Sequence, residues 1–468
     1  MGNTLPMKPF GRALPLTIAT AFFMEQLDSS VINTALPAIA HDLGTSIPQL
    51  AFSITAYLIS LAVFMPLGGW LADRYGGRRV FMSALAIFAA GSLLCGLAPN
   101  NFSLIVGRIV QGMGGAMMAP VGRAILMSSV SKSEYVRAMN YVIMPALIGP
   151  AVGPLVGGFL ATYISWHWIF LINLPLAAIG IGMSLRFMPA KVAEGDGKPK
   201  PLDWIGYGFL IVALGTGQFA IEIFGHAAHR LGALEVGLLS ASATALFLWR
   251  YRRIGSGILD LGLLRIRTFR LSITAGSIAR AGIGGIPFLL PLLLQVGFGY
   301  NAFQAGLVTF LVAIGSAVIR PIMSFTLKWW GCRRIILANS FITALGLLGF
   351  LMFRPGTSLW FMSPYVFLFG LLRSSQMSTI NALTYADIEK CDMSRASTIG
   401  TLAQRLSIGI GVNVAASVLN ISSQGHTPDL SAFAWAFIAT SSLVLVGGIM
   451  FIRLHPTDGW QISNRTAP

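Results

Sequence analysis

Charge is what this chain has least of. Only 10% of its 468 residues are Asp, Glu, Lys or Arg, against about a quarter in a soluble domain, so a water-facing globular surface is excluded. Cysteine is almost absent: Cys95, Cys332 and Cys391 have neither the even count of a disulfide framework nor ligand-like spacing. No GxxxxGKS/T phosphate loop occurs, which removes the usual device for nucleotide hydrolysis. The six histidines are scattered rather than clustered as metal ligands. The chain therefore reads as a non-enzyme, with no catalytic residue, cofactor or metal.

What it holds instead is hydrocarbon. Hydrophobic residues make up 55% of the chain, with 30 Phe and 19 Met, and apolar runs of about 20 residues recur from end to end, the length of a membrane-crossing helix. Strands of an outer-membrane barrel would be shorter and alternating. Spans fall near 13–33, 50–70, 80–98, 102–122, 136–160 and 166–188, then 204–225 and 233–250, then 271–294, 303–325, 335–353, 358–380, 396–420 and 430–452. That makes fourteen. The eighth is short and carries Glu235, so twelve spans plus a surface hairpin is the alternative. Lys8 and Arg12 precede a first run too long for a signal-peptide core, and that run is expected to stay as an anchor.

The formal charge of +16 does not point to nucleic acid once its carriers are located. With both termini cytoplasmic, Arg74, Arg78, Arg79, Lys132, Lys191, Lys198, Lys200, Arg250, Lys328, Arg333, Arg334, Lys390 and Arg453 gather on the inner side, leaving little beyond Arg230 and Arg354 outside. Positive-inside topology and anionic headgroups account for that separation. A hydrophilic connector, Arg186 to Asp203, and a basic linker, Trp249 to Arg270, punctuate the middle. The chain also repeats itself. At a shift of 255, Gly76 falls on Gly331, Arg78 on Arg333 and Arg79 on Arg334; at 265, Arg108 and Gln111 fall on Arg373 and Gln376. We therefore expect an all-α polytopic membrane protein of two six-helix bundles, related by a parallel repeat, plus two central extra transmembrane helices. The divisions are 1–188 for the first bundle, 189–270 for the connector, extra helices and linker, and 271–468 for the second bundle and tail.

The first span carries Glu25 and Asp28 on roughly one helical face. Carboxylates in hydrocarbon cost several kcal/mol unless protonated, paired or hydrated, so a pathway is the functional reading and helix pinning the bland one. Asp28 lies ~8 Å from the outer end of its span and Arg108 ~9 Å from the outer end of the fourth, a match that makes Arg108 a candidate partner for the carboxylates or the cargo. Arg280 and Arg405 fall near mid-membrane and Arg373 nearer the inner side; with Glu222, near the outer end of the seventh span, they are candidate pathway residues, each needing a partner or water.

Two glycine-rich stretches suggest moving parts. In GGWLADRYGGRR, Gly68 to Arg79, Gly68 and Gly69 permit close packing, Gly76 a tight turn, and Asp73 stands among Arg74, Arg78 and Arg79 as a charge-clamped hinge. In the fifth span Gly149, Pro150, Gly153, Pro154, Gly157 and Gly158 combine a narrow surface with missing helix donors, which suits a close interface that bends or seals. Trp166 and Trp168 in WHWIFLINLP are placed as aromatic anchors at the outer interface.

Taken together, LDSSVINTALP from Leu27, GGWLADRYGGRR, RIVQGMGGAMMAPVGR from Arg108, GPAVGPLVGG from Gly149, WHWIFLINLP and ILDLGLLRIRTFR from Ile258 resemble the fourteen-helix drug:proton antiporter branch of the major facilitator superfamily, the bacterial QacA and EmrB type. The resemblance runs along almost the whole chain. It implies the major facilitator fold in a bacterial cytoplasmic (inner) membrane, with proton-driven export of a small amphiphilic or drug-like cargo by alternating access. It also implies that Asp28 occupies the position of the family's first-helix acid, Arg108 that of its fourth-helix arginine, and the Gly149 to Gly158 run that of the antiporter signature. The chain departs from the pattern at His167, where an arginine is common, and at Lys328, where the second-half loop lacks an acid. The expected partners are protons, a cargo of open charge and membrane lipids, with no nucleic acid; the monomer is the expected working unit, and accessory export partners stay open. Uniport, proton-linked uptake, or a receptor or scaffold on the same fold are the alternatives.

Overall fold

The computed structural model describes residues 12–130, 132–189, 203–225, 230–254, 259–389, 392–423, 426–455 and 458. Lys8, Lys191, Lys198, Lys200, Lys390 and Cys391 lie outside that set, with most of the connector and part of the basic linker, as do the side chains of Lys132, Arg230 and Lys328.

Every described element is helical. α1 (Ala13–Asp42), α2 (Ile47–Tyr75), α3 (Gly77–Gly96), α4 (Asn101–Ser129) and α5 (Lys132–Tyr163) lead to a broken segment, α6 (Trp168–Leu171) and α7 (Asn173–Phe187). A hairpin follows, α8 (Trp204–Phe224) and α9 (Arg230–Ile254). Then come α10 (Arg267–Gly284) and its continuation α11 (Ile286–Leu292), α12 (Ala302–Trp330), α13 (Cys332–Leu348), α14 (Leu359–Tyr385), α15 (Met393–Ser423) and α16 (Leu430–Met450).

Among the described residues, 12 helical segments are long and apolar enough to cross a membrane, and the chain is an all-α integral membrane protein. By length and composition the expected fourteen is not reached. The two long helices outside the set are α1, with Glu25 and Asp28, and α14, with Arg373 and Gln376, because polar side chains facing a protein interior lower a helix's hydropathy without exposing charge to lipid. The eighth segment is not short: α9 has 25 residues, and both hairpin helices meet the criterion.

The repeat recurs in the local chemistry. Ser46 and Gln49 form a capping box that starts α2, and Asn301 and Gln304, each 255 residues on, form one that starts α12. Gly76 ends α2 with φ of 90° and Gly331 ends α12 with φ of 75°, a backbone region that disfavours other residues. Beyond each glycine an arginine reaches the last helix segment of its own half: Arg78 Nη2 donates to the Leu185 carbonyl at 2.6 Å, and Arg333 Nη2 to that of Ile452 at 3.4 Å.

Small residues set how closely the helices approach. A Cβ on Gly157 would stand 2.2 Å from the Val31 carbonyl oxygen, and one on Gly153 1.9 Å from Ser30 Oγ, so α5 lies directly on α1. Between the halves, a Cβ on Gly158 would meet the Ala302 carbonyl oxygen at 2.3 Å, and one on Gly306 that of Pro154 at the same distance. Phe159 and Tyr163 pack around Phe303 at that seam. The halves are also bonded through Thr55 Oγ1 to Asn413 Oδ1 (2.6 Å), Gln295 Nε2 to the Thr34 carbonyl (3.0 Å) and Phe303 N to Thr162 Oγ1 (3.1 Å). All three contacts lie toward the end at which α1 finishes and α2 begins, so the seam is closed there. The hairpin rests across α2 and α15: Tyr207 donates to the Val63 carbonyl, while Asn413 and Ser417 donate to α8.

Three sequence expectations need correction. Gly68 packs closely, its Cβ position 3.1 Å from Met117 Cα, but Gly69 has nothing within 4 Å, because one residue turns the helix by about 100° and carries it off the interface. Asp73 is exposed and forms no ion pair among the described residues. Its neighbours are otherwise engaged, Arg74 over the rings of Trp70 and Tyr75 and Arg78 on Leu185, and an exposed ion pair offers little to draw them away. Trp166 is buried, donating to Asp42 Oδ2 at 2.8 Å, while Trp168 is the exposed one.

Gly157→Ala should therefore destabilise the purified protein by about 1–3 kcal/mol, whereas Gly69→Ala should be neutral or stabilising by up to ~1 kcal/mol, as read by thermal unfolding in detergent. Asp203 caps α8 through Gly206 N (3.1 Å) and accepts from Arg250 Nη2 at 2.7 Å, closing the hairpin. Its bond from Arg250 holds the carboxyl below its ordinary value, so its contribution is present above pH ~4 and is lost as pH falls through the lowered value. Asp203→Ala should cost about 1 kcal/mol at pH 7 for the cap, with wild type and variant melting points converging toward pH 3.

Candidate functional site

Asp28 is the centre of a buried cluster drawn from five segments. One carboxylate oxygen, Oδ2, takes Arg108 Nη1 from α4 at 2.6 Å. The other, Oδ1, accepts from Gln111 Nε2 at 2.7 Å and from Asn173 Nδ2 of α7 at 2.9 Å. Gln111 in turn accepts from Arg108 Nη1 at 2.6 Å and donates to Ser92 Oγ of α3 at 2.7 Å. The face of Arg108 lies over the Tyr57 ring of α2, 4.1 Å from its centroid. Both members of the ion pair are wholly buried, at 0% and 0% side-chain exposure.

Close packing makes these distances available. A Cβ on Gly91 would stand 2.3 Å from Gln111 N, and one on Gly112 2.6 Å from Ser60 Cβ, so α3 and α2 come against α4 where its polar side chains emerge. The cluster fully engages Asp28. Arg108 Nε and Nη2 lack hydrogen-bond partners, and the Tyr57 face partly offsets that deficit, by ~2 kcal/mol in a desolvated setting.

Beyond Tyr57 lies a cavity of about 320 Å³ between the halves. Its wall combines Gln26, Ser29 and Asn33 of α1 with Pro150 and Pro154 of α5, Thr309 of α12, Arg373 of α14, and Gln404 and Arg405 of α15. Glu25 stands behind that wall. Its Oε1 accepts from Arg405 Nη2, an ion pair from the first half to the second in which the carboxylate is 4% and the guanidinium 19% exposed.

The candidate residues thus fall into distinct places. Asp28 and Arg108 meet inside the first half, Glu25 and Arg405 meet across the halves, and Arg373 borders the cavity. Arg280 is buried and bonded through Nη2 to Asn381 Oδ1 at 2.8 Å, away from the cavity wall, and Glu222 is not on that wall either. Sequence reasoning gave Glu25 no partner and assigned no role to Ser92, Tyr57 or Asn173. Gln111 and Asn173 did lie in the motifs RIVQGM and WHWIFLINLP, but which way they face was not visible there.

A pathway bordered by charge between two repeated halves of membrane helices has the form of a transporter. The family model for the Major Facilitator Superfamily matches residues 18–412, and the chain belongs to that superfamily of membrane transporters. Over 453 residues it is 35% identical to a Cronobacter sakazakii protein named "Putative multidrug resistance protein MdtD", with 94% of each chain covered. The protein of the same name from Escherichia coli O6:H1 is 34% identical over 456 residues, covering 95% of this chain and 94% of that one. Among solved structures, the POT family transporter PepTSo matches with a TM-score of 0.70 at 15% identity, covering 95% of this chain and 97% of its own. The xylose transporter XylE from E. coli matches at 0.61 and 13%, covering 95% and 97%. At such identities these two structures speak for the fold alone.

Removing one charge from the Asp28 cluster should show what it holds together. Asp28→Asn leaves Arg108 buried without a counter-charge and should cost about 3–5 kcal/mol, while the double variant Asp28→Asn with Arg108→Met should recover much of it. Thermal unfolding in detergent reads both; an Asp28→Asn protein that melts with the wild type would remove the pair from the architecture.

Proposed function

We propose that this protein is a proton-coupled exporter of small drug-like amphiphiles, working by alternating access between two six-helix bundles, residues 1–188 and 271–468, with the segment 189–270 supplying two extra helices. In this reading α1 and α14 also cross the membrane, both termini are cytoplasmic, the membrane is the bacterial inner one, and the monomer is the working unit. The kinship with proteins named for multidrug resistance supports the cargo class.

The observation that carries the coupling is the Glu25–Arg405 ion pair, because it joins the two halves beside the cavity. Asp28 is held entirely by its own half; Glu25 depends on where the other half stands. With cytoplasmic termini, the closed end of the seam is the outer one, so the cavity serves the cytoplasm and Glu25 is held by Arg405. Rocking the halves apart at that pair leaves Glu25 to take a proton from outside as cargo departs. Return to the inward-facing arrangement brings Arg405 back to Glu25 in place of the proton, which leaves inward. Asp28 with Arg108 keeps the first half rigid.

The test uses energised everted vesicles with a pH-sensitive dye. Addition of an exported compound should dissipate part of the proton gradient through the wild type, and Glu25→Gln, inserted at equal level, should reduce that response at least tenfold. Full proton movement through Glu25→Gln would exclude Glu25 as the carrier, and transport without any cargo-induced proton movement would favour uniport.

A further inference from the structure

We propose that Arg373 is the receptor for a carboxylate on the cargo, so that this transporter takes anionic or zwitterionic amphiphiles in preference to cations; this rests on the export reading above. Arg373 and Gln376 of α14 have the spacing of Arg108 and Gln111 of α4 at a different depth, Arg373 lying fourteen residues into its helix and Arg108 seven into its own, and each glutamine holds a serine of the preceding helix, Gln111 Nε2 donating to Ser92 Oγ at 2.7 Å and Gln376 Nε2 to Ser340 Oγ at 2.8 Å. The first copy is completed by the Asp28 carboxylate, which takes Arg108 and Gln111 together. The second copy has the donors and no acid.

The consequence is visible at the arginine. Arg373 forms no hydrogen bond or ion pair with any described residue, its Nε is buried without a partner, and the charge acting on it is a second cation, Arg320. It borders the cavity. Gln376 Oε1 is also unpartnered, whereas its counterpart in Gln111 accepts from Arg108, so the second arginine has left its glutamine for the cavity side.

The cavity wall contains no Asp or Glu. It contains Arg373 and Arg405, of which only Arg405 has a carboxylate behind it. A cation entering meets an uncompensated guanidinium, while a carboxylate meets a planar donor suited to bidentate binding. Pro150, Leu290, Ile408 and Val412 supply apolar wall, so the preferred cargo pairs a carboxylate with an apolar body. For Arg373 that carboxylate does what Asp28 does for Arg108.

Three xanthene dyes that share a ring system and differ in charge make the test: fluorescein (anion), rhodamine B (zwitterion) and rhodamine 6G (cationic ester). Equilibrium binding is measured by fluorescence polarisation to the full-length protein in phosphatidylcholine nanodiscs. The two carboxylate dyes should bind at least tenfold more tightly than rhodamine 6G. Arg373→Gln should weaken both at least tenfold while leaving rhodamine 6G within twofold, and Arg373→Lys should restore part of the loss, which a variant that merely misfolds does not do. No saturable binding of the carboxylate dyes, a preference for rhodamine 6G, or equal losses for all three dyes in Arg373→Gln would overturn the assignment. Loss of carboxylate-dye binding on adding phosphatidylglycerol would assign Arg373 to a lipid headgroup instead and also overturn it. The vesicle proton assay is separate: proton exchange without charge preference removes the carboxylate receptor alone, and Arg373-dependent binding without proton movement removes the exchange reading alone.

Discussion

A guanidinium held in hydrocarbon needs a counter-charge, a hydrogen-bonding shell or water, and the architecture of this chain can be followed from how its interior arginines meet that need. Arg108 finds its carboxylate within its own half, with Gln111 and the Tyr57 ring completing its surroundings. Arg405 finds one in the opposite half, and so is satisfied only while the halves stand as they do here. Arg373 finds none among the described residues and faces the cavity. The three are equally charged and differ in what they depend on: a fixed neighbour, a movable neighbour and a guest.

Packing determines which of these arrangements can be reached. An ion pair at 2.6 Å between α1 and α4 requires the helices around it to approach within backbone contact, and Gly91, Gly112 and Gly114 permit this by leaving no Cβ where one would strike Gln111, Ser60 or Phe88. The seam between α5 and α12 uses the same device with different surroundings. Gly158 and Gly306 lie against backbone carbonyls, and Phe159, Tyr163 and Phe303 close over them. No buried charge is stranded when such a seam opens, since the side chains it frees are aromatic. At this seam the contact is neutral and small, whereas the ion pair of Glu25 with Arg405 joins the halves by charge beside the cavity.

Much of this was legible in the sequence, for identifiable reasons. Helix order, the repeat and the depth match of Asp28 with Arg108 follow from counting residues along elements of known rise and direction. Rotation about each helix axis does not follow from counting, and the misreadings share that cause. Glu25 and Arg405 both come out near mid-membrane, yet nothing in either segment shows that they point at each other across 380 positions. Gly69 is a neighbour of the packed Gly68 and faces open space. Asp73 failed differently: its arginines are adjacent in sequence, but in the exposed loop ring faces and a carbonyl engage them instead. In the sequence α1 and α14 count as spans, and their buried polar side chains keep them outside the 12 segments that qualify by length and hydropathy.

The repeat sharpens the meaning of the one acid it did not keep. Asp28 closes the first half on Arg108, and among the described residues no carboxylate does the same for Arg373. A duplicated scaffold can keep its caps and its turn glycines, as Ser46 and Asn301 and Gly76 and Gly331 show, and still acquire two different halves. In the half that kept its acid the arginine is structure. In the second half Arg373 has no carboxylate among the described residues, and on the proposed reading an anionic guest would supply one.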